Sequence, residues 1–333
     1  MGTDALDPET VTSLVEDAVT APSMHNAQPW RFVHRPGTDT IRLNGDPERA
    51  MPRGDPRHRA LHLGCGAALF GLRVAAAWRG WDTTTRLLPD PADPWHFADV
   101  RVHRGSDALL DRDRELATLQ PILRRRHTSR FPYGDEPVPA PVLGALRAAA
   151  LLEGCRLVVP GPWHTDAVLG LVQDSALFEA ADSTVRREIA AWTRTGAPGE
   201  DSAGDGVPAY AFGPRQFGVS APVRDFDSPR RVADRGAAVF EKHPQILLLG
   251  TEEDRPADWL RAGQAMHRVL LQATLDGLAT SPISQPLEWA ELRRVARDPV
   301  AVTGSVQMIL RIGYGPPGPA TPRRPVSDVL DLD

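Results

Sequence analysis

The sequence predicts an α+β chain of two tandem copies, each a mainly antiparallel sheet flanked by helices, packed on each other. Three observations point there. A long apolar helix bounded by glycines occurs twice, a helix–strand unit precedes it twice, and two polar motifs occur once each, in different copies.

The repeated helix is the clearest signal. Residues 66–81, GAALFGLRVAAAWRGW, and 263–278, GQAMHRVLLQATLDGL, carry glycines at matching positions, Gly66 and Gly80 against Gly263 and Gly277. Between them Ala68, Leu69, Leu72 and Ala76 correspond to Ala265, Met266, Val269 and Ala273. The apolar residues recur at helical spacing, and the small ones permit close packing. The second glycine of each pair is placed to end its helix.

The preceding unit frames each copy. Residues 8–23 form an amphipathic helix leading to a strand at 30–34, and residues 139–155 form a similar helix leading to a strand at 156–160. Further strand-like runs fall at 39–43, 98–103, 245–250 and 306–313. The copies divide at roughly 1–118 and 119–333.

The bulk numbers describe an ordinary globular chain. It has 333 residues, 41% hydrophobic and 24% charged, with a formal net charge of −5. That balance gives no reason to expect nucleic acid or an anionic membrane as partner. Lys242 is the only lysine beside a large excess of arginine, a skew that reflects codon bias more than function. Two cysteines, Cys65 and Cys155, suit buried thiols in a reducing compartment. The acidic start, with Asp4, Asp7 and Glu9, has no basic-then-apolar leader, and no uninterrupted apolar run reaches membrane-spanning length. A cytoplasmic protein is expected.

The unmatched motifs carry the chemistry. Residues 21–33, APSMHNAQPWRFV, place Ser23, His25, Asn26 and Gln28 in one short loop, more hydrogen-bonding side chains than a turn needs. The second copy has the bland LLEGC at 151–155 instead. In turn it opens with Arg124, Arg125, Arg126, His127, Thr128 and Arg130, cationic donors and a hydroxyl that suit a phosphate, although a solvated basic turn has the same composition. Arg323 and Arg324 add two guanidinium groups near the end. A phosphate at one end and an amide-rich loop at the other describe a flavin mononucleotide (FMN) site. If the ligand needs both motifs, the duplicated chain has one complete site and one dead one.

Other schemes fit less well. Residues 63–71, LGCGAALFG, match a dinucleotide fingerprint only loosely and open no clear βαβ unit. His58 and His62 stand at i and i+4 without the glutamate of a zinc-protease helix, so they read as solvated or capping residues, and no metal is expected. Neither a G-x-S-x-G elbow nor a P-loop is present.

Residues 22–32, 126–131 and 323–330, in that order, resemble the nitroreductase superfamily of FMN flavoproteins. They most resemble its duplicated, single-chain Acg-type subgroup, and the resemblance covers almost the whole chain. It implies two nitroreductase-like copies packed as an intramolecular pseudo-dimer. It also implies that Arg126, His127, Thr128 and Arg130 hold the phosphate and ribityl chain, and that Arg323, with Arg324, closes on the phosphate. Pro22, Ser23, Asn26 and Gln28 would meet the isoalloxazine from the other copy. Ser284 and Gln285, in SPISQP at 281–286, would lie near its reactive nitrogen, where the family more often carries acidic-glycine chemistry.

The implied activity is oxidation of NADPH or NADH coupled to a quinone, nitro compound or other conjugated acceptor, with no catalytic protein nucleophile or acid–base pair. Residues 193–228, rich in Gly, Pro, Ala and Asp and lacking periodicity, read as a functional lid or a disordered segment, and the Acg-type resemblance implies a lid over the flavin. If the lid covers the flavin, the alternatives are a flavin store or sensor with little turnover, or an oxidoreductase dedicated to one metabolite. A monomer suffices to build the site, and a homodimer is equally compatible.

Overall fold

The computed structural model describes residues 6–104, 115–195, 204–217, 223–227, 235–297 and 304–332. Its helices are α1 (Pro8–Ala18), α2 (Arg59–Trp78), α3 (Gln120–Leu123), α4 (Ala140–Leu152), α5 (Pro162–Ala181), α6 (Ser183–Ala191), α7 (Pro256–Leu275), α8 (Gln285–Glu288) and α9 (Ala290–Val295). The strands are β1 (Trp30–His34), β2 (Thr40–Gly45), β3 (Trp81–Leu87), β4 (His96–Arg104), β5 (Arg156–Val158), the two-residue β6 (Thr193–Arg194), β7 (Val207–Pro208), β8 (Arg215–Gln216) and β9 (Ala237–Ala238), then β10 (Gln245–Thr251), β11 (Ala279–Ile283), β12 (Ser305–Gly313) and β13 (Leu330–Leu332).

The centre of the molecule is α2 packed on α7. Gly66 and Gly263 face each other across the crossing, where an added Cβ would lie 2.2 Å from the Leu260 carbonyl oxygen and 2.1 Å from that of Leu63, respectively. Only glycine lets the two backbones approach so closely. Both helices begin about two turns before these glycines, so Gly66 and Gly263 are contact points rather than starts. Gly80 and Gly277, with φ of +75° and +79°, follow the helices in the left-handed conformation that ends them. Helix α2 is long and apolar enough to cross a membrane by length and composition, but it is largely buried inside the protein.

Two sheets carry these helices. The first has the order β13-β1-β2-β4-β3 and the second β11-β12-β10-β5. Every pairing in them is antiparallel except β13 with β1, where Leu330 lies beside Phe32. The last strand of the chain therefore completes the sheet of its first part. Along β1 Trp30, Phe32 and His34 point inward, and Arg31 outward. Central strand β12 is buried on both faces, which explains its nearly unbroken apolar run.

Helix α5 has no counterpart among the sequence expectations. Its inner face carries Val168, Leu171 and Val172, while Trp163, Leu177 and Phe178 remain exposed, so apolar residues surround it and blur the helical period. His62 also departs from expectation. It is buried, stacked on Phe97 at 4.2 Å between centroids with its edge contact to Trp259, rather than solvated.

Candidate functional site

The loop between α1 and β1 is strained where it is most polar. His25, Asn26 and Gln28 take φ of 49°, 55° and 53°, a region that costs a non-glycine residue about 1–3 kcal/mol. Hydrogen bonds hold it there. Ser23 Oγ accepts from the Gln28 N–H at 2.9 Å. Asn26 Nδ2 donates to the carbonyls of Gly206 and Pro322, both at 3.0 Å, and Asn26 Oδ1 accepts from Arg323 at 3.0 Å. Gln28 Nε2 donates to the Gly204 carbonyl at 2.7 Å, and its Oε1 accepts the Arg324 N–H at 2.9 Å. The two amides thus clasp residues 204–206 and 322–324 to one loop.

Beside this loop lies a cavity. Pro22, Ser23, Met24 and His25 form one wall, and Thr128 and Arg130 another. Ser281–Gln285 border it at the exit of β11, and Arg224 and Phe226 contribute from the segment 223–227. Leu63, Gly64, Met266 and Met308 supply apolar surface. Its lining is mostly apolar with a few polar groups, the character of a small-molecule site.

Near Thr128 in sequence, buried Arg126 meets partly buried Arg323, and neither has a counterion among the described residues. Arg126 is 2% exposed, and its Nε and Nη1 meet no hydrogen-bond partner among the described residues. Its Nη2 donates to the Thr20 carbonyl at 3.4 Å, and Arg323 Nη2 donates to the same oxygen at 3.0 Å. Besides its bond to Asn26, Arg323 donates to Val19, Ala21, Thr321 and Pro322. Among the described residues no carboxylate pairs with either arginine. Burial, then the charge of Arg323, lowers Arg126 to about 9, and burial lowers Arg323 to about 10.

Two histidines feel the same field. Burial followed by the charges of Arg126 and Arg323 pulls His127 below its ordinary value. Burial and Arg126 push His267 down to about 3. Neutral His267 donates from Nδ1 to the Ala67 carbonyl at 2.7 Å, and its buried Nε2 has no partner among the described residues. Buried charges of one sign cost several kcal/mol each unless answered. An anion of phosphate size would answer both arginines.

A third cationic group is answered internally. Arg224 donates to Glu179 at 2.6 Å and to Glu288 at 2.8 and 3.1 Å. Burial opposes its charge, yet Glu288 and Glu179 hold its pKa above the usual value. Arg130 donates to the Ala211 carbonyl at 2.8 Å and lies 4.9 Å above the Phe226 ring. The edge of His25 meets the same ring at 5.5 Å. Burial, then Arg224 and Arg130, holds His25 well below its ordinary pKa.

Of the residues the sequence singles out, Pro22, Ser23, Thr128, Arg130, Ser284 and Gln285 line the cavity. Arg126, His127 and Arg323 cluster together but do not line it. Asn26 and Gln28 spend their side chains on the clasp. Arg324 donates to the Asp328 carbonyl at 2.8 Å and faces Asp46 at 3.8 Å. Sequence reasoning missed His25, Arg224, Phe226, Met266 and Met308 as wall residues, and Glu179 and Glu288 as the carboxylates that hold Arg224. His25 stood in the quoted loop, whereas Arg224 and Phe226 lie in a segment with no periodicity to mark them.

Fold and site together define an α+β protein with a mostly apolar cavity and two neighbouring arginines that no carboxylate answers among the described residues. The family model described as "Nitroreductase family" matches residues 123–314, and the chain belongs to that family. It is 35% identical to the Mycobacterium tuberculosis protein Rv3131, named among the NAD(P)H nitroreductases, over 99% of this chain and 94% of the relative. It is 31% identical to acg of the same organism, also named among them, over 97% and 96%. A crystal structure of the FMN and NADPH-dependent nitroreductase NfnB from Sphigopyxis sp. strain HMH aligns at a TM-score of 0.40 and 19% identity, covering 65% of this chain and 98% of that one.

Proposed function

We propose that this protein is an FMN-dependent oxidoreductase that draws electrons from NAD(P)H and delivers them to a nitro, quinone or other conjugated acceptor. The observation that carries the reading is the Arg126–Arg323 pair: a buried and a partly buried guanidinium group on one carbonyl, without a carboxylate among the described residues, Arg126 two residues before cavity-lining Thr128. Membership of the nitroreductase family and the names of the mycobacterial relatives support the donor class.

The donor set fits FMN. Arg126 and Arg323, with His127 and Thr128, would hold the phosphate and ribityl chain, and Thr280 Oγ1, buried without a partner among the described residues, stands beside Thr128. Pro22, Ser23, Ser284 and Gln285 would border the ring. Bound FMN supplies the hydride chemistry. The chain's part is to orient and to keep water out: Met266, Met308 and Phe226 give apolar surface, and the Asn26 and Gln28 clasp fixes the strained loop.

A second reading has its own support. Arg224 and Phe226 form part of the cavity wall, and Arg224 is tied down by two carboxylates. A cover of this kind over the ring favours a flavin store or sensor with little turnover. Anaerobic addition of NADPH and then NADH to the purified protein separates the readings. Bleaching of the flavin bands by either supports the reductase, and bleaching by dithionite alone supports the covered flavin. A colourless protein that refuses added FMN ends both.

We further read the chain as an internal duplication dividing near residue 118, with the two copies forming a pseudo-dimer that needs no second chain. The reciprocal contacts of Gly66 with Leu260 and of Gly263 with Leu63 support it. Gly66→Ala and Gly263→Ala should then destabilise the fold alike, by about 1–3 kcal/mol or more. A large cost at one and none at the other in urea unfolding would count against the symmetry.

A further inference from the structure

Arg126 and Arg323 share a carbonyl, yet they differ in what they have left to give. All three guanidinium nitrogens of Arg323 donate within the chain. Its Nε donates to the Val19 carbonyl at 2.9 Å, and its Nη2 to those of Thr20 and Ala21 at 3.0 and 3.3 Å. Its Nη1 donates to Asn26 Oδ1 at 3.0 Å and to Thr321 Oγ1 at 2.7 Å. Arg126 keeps Nε and Nη1 without a partner among the described residues. Arg126 therefore has N–H groups to spare for an anion, whereas Arg323 brings mainly its charge.

The acceptors of Arg323 share a location. Val19, Thr20 and Ala21 follow α1 directly, and α1 has no basic residue in its last turn. Carbonyls at such an end lack helical partners and carry partial negative charge, so a cation is favourable there. The chain then runs into Pro22 and Ser23, which line the cavity. From the same guanidinium, the bond to Asn26 reaches the strained part of the loop. The neighbours of Arg323 add two ties: the Pro322 carbonyl accepts from Asn26 Nδ2 at 3.0 Å, and the Arg324 N–H donates to Gln28 Oε1 at 2.9 Å. Left-handed backbone at His25, Asn26 and Gln28 persists only where its surroundings over-determine it. Residues 322–324 supply that constraint, and Arg323 fastens them to the end of α1.

We propose that Arg323 is a positioning residue that sets the cavity-facing loop 22–28 for the ring of the cofactor. The inference rests on reading the cavity as the flavin site. Within that site Arg323 adds charge at the phosphate end, while its hydrogen bonds serve the ring end.

Riboflavin, which lacks the phosphate, is the probe beside FMN, with flavin fluorescence of cofactor-stripped protein as the readout. Arg323→Met should weaken riboflavin about tenfold, as loss of a charge-assisted hydrogen bond implies. Arg126→Met should weaken FMN far more than riboflavin. Asn26→Ala breaks the same link, so adding it to Arg323→Met should weaken riboflavin no further. Weakened FMN with unchanged riboflavin in Arg323→Met makes Arg323 a phosphate ligand only and overturns the proposal.

Hydrogen exchange of the cofactor-free protein reads the loop without any flavin. In Arg323→Met exchange at 22–28 should speed up at least about tenfold, with α2 and α7 unchanged. Equal acceleration throughout marks a merely structural residue and overturns the proposal. Should Arg323→Met fail to fold, Arg323→Lys decides, since it keeps the charge and loses the planar fork. Faster exchange confined to 22–28 supports the proposal, and unchanged exchange overturns it. The two readings stay separable: a protein that binds neither flavin but loosens at 22–28 in the variant refutes the flavin alone. One that binds both flavins, with riboflavin affinity and exchange untouched by the variant, refutes the positioning alone.

Discussion

Arg126 and Arg224 are both buried guanidinium groups beside one cavity, and they differ in what answers their charge. Arg224 is enclosed by Glu179 and Glu288, so its charge is met within the chain. Arg126 has a second arginine for a neighbour and shares a backbone carbonyl with it. The first arrangement is a finished ion pair that holds a segment against the cavity. The second is half of an ion pair, and in the proposed function its other half is the flavin phosphate. Burial alone does not reveal function; burial without a counterion does.

Removing each charge should therefore act in opposite directions. Arg224→Ala leaves two carboxylates uncompensated and should cost about 3–5 kcal/mol in urea unfolding. Arg126→Met should leave the stability of the cofactor-free protein unchanged or raise it, because a buried unpaired cation is gone. The same variant should weaken FMN binding by about 1.5–3 kcal/mol, the loss of a charge-assisted partner. If both variants destabilise the cofactor-free protein equally, the contrast between the sites fails.

The histidines sharpen the comparison through pH. His267, pushed down to about 3, stays neutral in the folded protein while the unfolded chain takes up a proton below about pH 6.5. Stability of the cofactor-free protein should then fall as pH drops from 6.5 towards 3, by up to about 1.4 kcal/mol per pH unit for this group. Bound phosphate cancels the charges of Arg126 and Arg323, so FMN should raise the pKa of His127 and His267 and narrow that window. Denaturation midpoints against pH, with and without FMN, show whether the window moves. Asn26→Ala is the mildest change: it should cost about 0.5–1.5 kcal/mol for each lost clasp bond and reduce FMN retention less than Arg126→Met does.

The legible parts of the molecule were those with local rules. Spacing and periodicity predict the central helices, the strands at 30–34, 245–250 and 306–313, and the glycines that end α2 and α7. Composition marks the loop with Pro22 and Ser23, and the run containing Arg126, Thr128 and Arg130. The rest depends on distant partners. Asn26 reads as a ligand-facing amide, but the structure turns it to Gly206 and Pro322, which are remote in sequence. Arg224 gains its role from Glu179 and Glu288, one on a helix whose all-round apolar character hides its period. The pairing of β13 with β1 joins the two ends of the chain, and nothing in a three-residue strand announces that partner.

The most direct test of the account compares FMN with riboflavin, which lacks the phosphate. Both are titrated into cofactor-stripped protein and into Arg126→Met, with flavin fluorescence as the readout. The account predicts that the unmodified protein binds FMN at least about tenfold more tightly, as loss of a charge-assisted hydrogen bond implies, and that Arg126→Met erases most of that preference. Equal affinity for FMN and riboflavin in the unmodified protein would contradict it.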